Sequence, residues 1–493
     1  MLKKIAIGVA LVAVLAWGLY AFAGFRVAVD GSGIRPRFVF RDNYSALEAD
    51  RARQRQQTTS PTAVAPESTS PTSAAAQVAP AEDSNAAIPG PKTDSAAAAE
   101  RRRHGYWPDF RGPNRDGRYD ETPIRTDWPR EGLPQLWKQP VGFGYASFVV
   151  ADGRAFTIEQ RRSQEVVAAY DVSTGRELWT HGWEGEFRES MGGDGPRATP
   201  TYHDGRIYAL GALGELRSLN AQTGALVWRR NILTDNDASN LGWGMSAAPL
   251  IVDDKVIVLP GGARGKSVVA YNTLTGAPIW KSLDDPQAYT SPMLVTLGGV
   301  RQILVVSARR AMGLTVEEGR LLWEYPWVTN MDISVAQPLI IANEGGSDRV
   351  FLSASYGHGA AVFEVRRTGG AFEARTVWEN TRMKNKFASS VLHDGYIYGL
   401  DESILACLDA ATGEQKWKGG RYGYGQILLA RDHVIVLTED GDLVLVKATP
   451  ARHEELARFS AIEGKTWNHP VIAAGRLLVR NIQEMAAFDI LPK

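Results

Sequence analysis

The sequence predicts an all-β protein, an eight-bladed β-propeller that follows an N-terminal transmembrane helix and a disordered linker. Three observations predict this organisation. A nine-residue pattern recurs five times and always ends in a tryptophan four residues after a glycine. The 49 glycines and 14 tryptophans favour tight turns and aromatic-anchored strands over long helices. An uncharged stretch and then a stretch poor in large apolar residues precede the repeats.

Residues 1–25 form the first element, a predicted membrane segment. Two lysines precede an uncharged stretch from Ile5 to Phe25, and about 20 apolar residues span a bilayer. The lysines favour an N-terminus that stays in the cytoplasm, so we expect a single-pass protein of the bacterial inner membrane whose propeller faces the periplasm. A cleavable signal peptide is the alternative, because the tripeptide at 21–23 fits the small-x-small cleavage pattern.

Residues 26–103 are predicted to be a juxtamembrane segment and a disordered linker. Ser, Thr, Pro and Ala dominate from Ala46 to Arg103, and large apolar residues are almost absent. The entropy cost of ordering this stretch would therefore have no compensation. A coil of about 50 residues reaches roughly 40 Å, which would hold a globular head clear of the membrane. The alternative, an Ala-rich helix, is disfavoured by the interspersed prolines.

Residues 104–493 contain the repeats and form the predicted propeller. Each repeat reads as four strands joined by turns, as in the unit from Ser246 to Trp280. Repeats of this length indicate a solenoid, an array or a propeller. Counting the degenerate units gives eight blades, the last completed by the segment 133–138, which would join the N-terminal and C-terminal strands. We expect the tryptophans to pack between blades rather than to bind a ligand. The pattern is found at 171–179, 220–228, 272–280, 315–323 and 409–417.

Charge and cysteine content exclude several kinds of function. After Arg103 the chain carries 42 basic and 46 acidic side chains, whereas a nucleic-acid-binding protein needs a clustered surplus of cations. A single cysteine, Cys407, excludes an internal disulfide and a haem attached through a CxxCH motif. It alternates with apolar residues in a strand pattern, which predicts a buried, inert thiol. Phosphate-loop, calcium-loop, zinc-helix and nucleophile-elbow motifs also fail on residue identity.

The repeated DA-x-TG-xxx-W unit resembles the pyrroloquinoline-quinone-like (PQQ-like) repeat of quinoprotein dehydrogenases and of outer-membrane assembly lipoprotein propellers. The segment WPDFRGPNRDG at 107–117 also resembles the opening of many bacterial propellers of this group. The resemblance covers residues 107–490 and implies the propeller fold. It is much less specific for activity, because the same blades serve both enzymes that hold a quinone and scaffolds that hold nothing.

The candidate site is one mouth of the central channel. Residues that precede each innermost strand converge there with the loops between second and third strands. These residues are polar and aromatic and include several cations, so the mouth could bind a small anionic or aromatic ligand or a protein partner. The alternative is that they only cap one another by hydrogen bonding. The candidates are Glu159, Arg161, Arg197, Trp243, Tyr289, Lys386, Tyr424, Lys465, Trp467, Asn468 and His469.

The sequence favours a membrane-tethered binding or scaffold protein without a cofactor, and no catalytic or metal-binding residue is assigned. The alternative is a quinoprotein oxidoreductase that uses PQQ and calcium to oxidise an alcohol or a sugar, as the resemblance implies. Two observations weigh against it. The acids near the mouth do not match the metal-ligand motif of those enzymes, and the adjacent cysteines that many of them use are absent. A third hypothesis is a role in outer-membrane protein assembly through strand addition to exposed sheet edges.

Overall fold

A computed structural model describes residues 14–15, 26–29, 36–39, 44–59, 105–342 and 347–493. The predicted membrane segment lies outside these residues, except for Val14 and Leu15, and so does the linker from residue 60 to 103. Within the described part of the chain, no helix has both the length and the apolar character needed to cross a membrane.

The head is an eight-bladed β-propeller, as the sequence predicts. Each blade has four antiparallel strands, and in blades 1 to 7 these strands follow in chain order from the central channel to the rim. Blade 1 contains β5 (Val149–Ala151), β6 (Arg154–Arg161), β7 (Gln164–Asp171) and β8 (Glu177–Glu184). Blade 2 contains β9 (Thr201–His203), β10 (Arg206–Leu210), β11 (Glu215–Asn220) and β12 (Leu226–Asn231).

The next four blades repeat this order. Blade 3 contains β13 (Leu250–Val252), β14 (Lys255–Val258), β15 (Val268–Asn272) and β16 (Pro278–Ser282). Blade 4 contains β17 (Met293–Leu297), β18 (Val300–Val306), β19 (Arg310–Thr315) and β20 (Leu321–Pro326). Blade 5 contains β21 (Leu339–Ile341), β22 (Asp348–Ala354), β23 (Gly359–Thr368) and β24 (Ala371–Asn380). Blade 6 contains β25 (Val391–His393), β26 (Tyr396–Asp401), β27 (Ile404–Asp409) and β28 (Gln415–Arg421).

The last two blades include strands from the N-terminal side of the head. Blade 7 contains β29 (Gln426–Ala430), β30 (His433–Leu437), β31 (Asp442–Lys447) and β32 (Glu455–Ser460), and β3 (Arg118–Tyr119) pairs in parallel with β29. Blade 8 contains β33 (Val471–Ala473), β34 (Arg476–Arg480), β35 (Glu484–Asp489) and, as its outer strand, β4 (Gln135–Pro140). Trp137 is opposite Ala487 in this pairing, so the ring closes as predicted.

The recurring tryptophan and glycine hold neighbouring blades together. The indole N–H of Trp137 donates to the carbonyl of Val172 at 3.1 Å, in the turn that ends the third strand of the next blade. Gly175 of that turn lies under the Trp137 ring, where an added Cβ would meet the ring at 2.6 Å. The repeat glycine thus makes room for the tryptophan of the preceding blade. Trp323 differs, because its N–H donates to Gln302 within its own blade at 2.6 Å.

The segment before the head contains two short strands and a helix. Strands β1 (Arg26–Val29) and β2 (Pro36–Val39) pair antiparallel, and helix α1 spans Tyr44–Thr59. The sequence led us to expect disorder from Ala46 onwards, and the structure differs over these first residues. Proline is absent between residues 44 and 59, and Leu, Glu, Arg and Gln are good helix formers. The helix packs against the outer strand of blade 1, a tertiary contact that local sequence does not reveal.

Candidate functional site

The loops at the predicted mouth enclose a cavity of about 330 Å³ on the channel axis. It is lined mainly by aromatic and apolar side chains, with a few hydroxyl, amide and cationic groups. Its walls come from loops of nearly every blade, and one residue comes from the segment before the blades. The lining residues are Phe110, Tyr145, Met191, Gly192, Arg197, Trp243, Ser246, Tyr289, Ser291, Met331, Ile333, Val335, Tyr356, Lys386, Phe387, Ser389, Gln426, Trp467 and His469.

The lead-in segment 107–117 is a plug that closes the channel beneath this cavity. Arg115 is 2% exposed and binds both carboxylate oxygens of Asp109, at 2.7 and 2.9 Å. The same guanidinium donates to the carbonyls of Pro249 at 2.6 Å and Pro292 at 2.7 Å. One side chain therefore ties the plug to the innermost strands of blades 3 and 4. Burial raises the pKa of Asp109, although the charge and hydrogen bonds of Arg115 oppose the rise.

A second buried arginine fixes the plug on the opposite side of the channel. Arg111 is 1% exposed and donates to the carbonyl of Ser390 at 2.7 Å and to Nε2 of His469 at 3.2 Å. Because Nδ1 of His469 lies 2.8 Å from the Pro470 carbonyl, the ring donates from Nδ1 and accepts at Nε2. Burial and the Arg111 charge lower the pKa of His469 to about 3. The imidazole is thus a neutral part of the cavity floor, and Phe110 lies beside it at 6.1 Å between ring centroids.

Polar side chains link the residues that precede the innermost strands of neighbouring blades. The backbone N–H of Ser147 donates to Thr199 at 2.9 Å. Farther round the channel, the N–H of Ser291 donates to Gln337 at 2.7 Å and the N–H of Gln337 donates to Ser389 at 3.0 Å. Each polar side chain therefore satisfies the backbone of the preceding blade. This part of the mouth fits the structural alternative, in which polar residues cap one another.

One wall of the cavity is a continuous row of aromatic rings. Tyr145 and Trp467 lie 5.3 Å apart between ring centroids, Trp467 and Phe387 lie 4.4 Å apart, and Phe387 and Tyr424 lie 5.6 Å apart. A separate pair, Trp243 and Tyr289, has a centroid distance of 5.8 Å. Rows of rings at these distances offer flat apolar surface to a ligand.

Three cations lie on these or neighbouring rings. The Lys465 ammonium is 3.7 Å from the Trp467 ring centroid, and the Lys386 ammonium is 4.2 Å from that of Tyr424. The Arg197 guanidinium is 4.4 Å from the centroid of Phe187. Cation–π contacts of this kind hold a positive charge in place without neutralising it.

Arg197 is a partly buried cation whose hydrogen bonds go to backbone carbonyls. Its guanidinium donates to the carbonyls of Gly193 and Gly195 in the loop between blades 1 and 2. Burial lowers its pKa to about 10, because Glu189 and other acidic neighbours offset only part of the cost of desolvating the charge. Within the described residues, no carboxylate lies within 4.0 Å of the charged nitrogens of Arg197 or Lys386, although Glu189 and Asp194 act on Arg197 from a longer distance. The cavity therefore carries positive charge at neutral pH.

None of the carboxylates near the mouth lines the cavity, and three of them hydrogen-bond or pair with neighbouring protein groups. Glu439 accepts from the Trp467 indole N–H at 3.0 Å and from the Tyr424 backbone N–H at 3.2 Å. Glu402 accepts from the Ser355 hydroxyl at 2.5 Å, and Asp401 forms an ion pair with Lys418. Over the ranges that the structure describes, no cluster of three His, Cys, Asp or Glu side chains could hold a metal ion.

Most of the predicted site residues meet at the cavity. Arg197, Trp243, Tyr289, Lys386, Trp467 and His469 line it, and Tyr424 and Lys465 contact lining rings. The other three predicted residues do not line it. Asn468 is buried and its amide donates to the carbonyl of Ala146 at 2.9 Å. Glu159 and Arg161 are also buried, at the seam between blades 8 and 1, where they contact each other and Tyr170.

Several lining residues were not predicted. Phe110 reaches the floor because the lead-in segment enters the channel, a long-range placement without a local sequence signal. Met191 and Met331 are 56% and 75% exposed on loops at the rim, where no repeat fixes their position. Phe387 directly follows the predicted Lys386, so strand register alone could have identified it.

Comparison with known proteins places the chain among PQQ-like propellers. A family model described as outer membrane protein assembly factor BamB matches residues 162–419. The BamB of Burkholderia pseudomallei is 24% identical over 373 residues, which cover 66% of this chain and 91% of that protein. A 1-butanol dehydrogenase (cytochrome c) of Thauera butanivorans is 29% identical over 177 residues, which cover 35% of this chain but only 24% of the dehydrogenase.

Solved structures share the fold at low identity. BamB from Moraxella catarrhalis has a TM-score of 0.52 at 16% identity, covering 72% of this chain and 97% of that one. A quinohemoprotein alcohol dehydrogenase from Comamonas testosteroni has a TM-score of 0.57 at 13% identity, covering 81% of this chain and 82% of that one. The same architecture thus occurs in an assembly factor and in a dehydrogenase, and the choice between them depends on the site.

Proposed function

This chain belongs to the family described as outer membrane protein assembly factor BamB, and from that premise we propose that it is a membrane-tethered binding or scaffold protein rather than an enzyme. Its functional site is the mouth cavity, which receives an anionic group carried on a flat or apolar body. Following the name of its relatives, we place the protein in the assembly of outer membrane proteins. Residues 5–25 would anchor it in the inner membrane, with the propeller in the periplasm.

The observation that carries this proposal is that the cavity wall contains positive charges and aromatic rings but no carboxylate. Cations rest on aromatic rings, while none of the lining residues is a carboxylate. An entering carboxylate or phosphate would find Arg197 and Lys386 positive, with no carboxylate of the described residues within 4.0 Å of either charge. Its interaction with these charges is stronger than in bulk water because the surrounding wall is largely aromatic and apolar. The rings of Trp467 and Phe387 would then pack against the body of the ligand.

The site does not fit calcium-dependent quinoprotein chemistry. Calcium takes six to eight oxygen ligands, several of them carboxylates, and the oxidation of an alcohol needs a base beside the substrate. The nearby acids already accept hydrogen bonds or form ion pairs, as Glu439 and Asp401 do. His469 lies at the floor, but its Nε2 accepts from Arg111. A planar polycarboxylate such as PQQ suits the cations and rings as a ligand, but the lining offers neither the donors for its metal nor a base.

A direct test titrates the full chain, purified in detergent, with 1,2,4-benzenetricarboxylate, a planar polyanion that cannot undergo redox chemistry. We expect calorimetry to give one site that weakens about tenfold or more in Arg197→Gln and in Lys386→Gln, because each removes one charge from a partly desolvated cavity. Lys416→Gln is the matched control, since Lys416 is exposed on the outer strand of blade 6, where it pairs with Glu414. Equal affinity in all four proteins would contradict the proposed site.

A second test concerns the scaffold role. A photo-crosslinking amino acid at Met331, which is 75% exposed at the rim, should capture a protein of outer membrane assembly from intact cells. The same group at Leu274, which is 61% exposed in a turn of blade 3, is the control away from the mouth. Crosslinks to assembly proteins from Leu274 but none from Met331 would place the partner surface elsewhere.

A further inference from the structure

Helix α1 lies across the seam where the propeller ring closes. Arg51, only 3% exposed, donates to the carbonyl of Pro140 at 3.2 Å, at the end of the outer strand of blade 8. Gln54 accepts from the backbone N–H of Glu177 at 3.0 Å, at the start of the outer strand of blade 1. The helix therefore bonds to both of the blades that meet at the seam.

The contact is built from charges on both sides. Arg55 forms an ion pair with Glu177, whose side chain is fully buried and also binds Arg161. Glu48 of the helix lies 3.8 Å from Arg161. Burial alone would raise the pKa of Glu159, but the charges of Arg161, Arg51 and Arg480 outweigh it and lower the pKa to about 2. The helix thus contributes charge to a cluster that is otherwise internal to the head.

Only one face of the helix takes part. Glu48, Arg51 and Arg55 are spaced three and four residues apart and face the seam. Arg53 lies on the other side, where its side chain is 65% exposed and pairs locally with Asp50. A short helix with no apolar stripe is marginal by itself in water. Formation of α1 and its docking on the seam are therefore coupled.

The docking of α1 determines which part of the chain can separate the head from the membrane. Arg55 pairs with Glu177 of blade 1, and Gly105, the first described residue of the head, lies against Ala474 of blade 8. Residues 60–104 therefore begin and end at the head instead of separating it from the membrane. We propose that α1 is a strap that docks the N-terminal segment onto the seam, so that residues 26–43, and not residues 60–104, set the reach of the head from the membrane. This inference rests on the proposed membrane attachment.

The docking is tested by hydrogen exchange on the full chain. Amide exchange across residues 44–59 should be slow in the wild-type protein and about tenfold or more faster in the double variant Arg51→Glu/Arg55→Glu. The variant lacks the ion pairs that oppose local opening of the helix. Arg53→Glu, the control, makes the same kind of substitution once, on the outward face, and should leave exchange unchanged. Ala52→Pro, which breaks the helix without adding charge, should match the double variant. Rapid exchange in the wild type, or equal effects of Arg53→Glu and the double variant, would overturn the docking.

The reach is tested by energy transfer from the head to a dye-labelled lipid. Cys407 is buried, so a dye on Lys416→Cys labels the head selectively in reconstituted vesicles. Deleting residues 71–95 should leave the transfer efficiency unchanged in the wild type but raise it in Arg51→Glu/Arg55→Glu, where those residues would again separate head and membrane. An equal change in both backgrounds would overturn the strap. Protein recovered free of the vesicles would refute both the membrane anchor and the proposed reach. The hydrogen-exchange experiment would still test the docking of α1, and the calorimetric titration would still test the mouth cavity.

Discussion

Arg115 provides the sharpest prediction about how this propeller is held together. Replacing it with methionine removes both bonds to Asp109 and the bonds to the carbonyls of Pro249 and Pro292. Asp109, 8% exposed, is then left as a buried carboxylate without its counter-charge. Breaking a buried pair in this way costs about 3–5 kcal/mol. Loss of these bonds should also disturb the cavity, because Phe110 follows Asp109 directly and forms part of the cavity floor.

The assay is equilibrium unfolding in urea, followed by tryptophan fluorescence. Arg118→Met is the control directly after this segment, since Arg118 pairs with the exposed Asp120 and also donates to the Leu392 carbonyl, and surface pairs contribute only about 0–1 kcal/mol. The double variant Asp109→Asn/Arg115→Met should recover part of the loss, because no buried charge remains unpaired. Two results would count against a buried ion pair here. One is a loss of unfolding free energy in Arg115→Met that is no larger than the loss in Arg118→Met. The other is a double variant that is less stable than Arg115→Met by as much as breaking a second, independent buried site would cost.

Two further predictions concern individual contacts. Glu165 is buried, and burial raises its pKa to about 7. Because the pKa is raised in the folded state, the stability of the fold is highest below the unfolded pKa of 4.5 and falls by roughly 3 kcal/mol as the pH rises through about 7. Glu165→Gln should flatten this dependence of stability on pH in unfolding scans. An unchanged slope in that variant would contradict the role of Glu165. Gly175→Ala should destabilise the fold more than Gly153→Ala, since both glycines have positive φ but only Gly175 lies under a ring, that of Trp137; similar melting temperatures for the two variants would count against the role of this contact.

The fold was predictable because its determinants are local and repeated. The spacing of glycine and tryptophan reflects a contact made again between successive blades, and strand order followed from turns beside residues such as Gly175. The register of the blades also located Arg197, Trp243 and Trp467 at the mouth, since each precedes an innermost strand.

The remaining features depend on distant parts of the chain. Phe110 lines the cavity only because Arg111 and Arg115 draw the lead-in segment into the channel. Glu159 and Arg161 follow the same register rule as the mouth residues, yet they lie at the seam with the docked helix. That helix was not predicted, because its stability comes from contacts with Glu177 rather than from its own sequence.

We expect the mouth to bind an anion and to perform no metal-dependent oxidation. The most direct measurement adds PQQ to the full chain with and without calcium, and follows tryptophan fluorescence together with reduction of an artificial electron acceptor in the presence of an alcohol. Binding of similar affinity in both conditions, with no reduction of the acceptor, is the predicted result. Acceptor reduction that requires PQQ, calcium and the alcohol together would show a quinoprotein dehydrogenase and contradict the account.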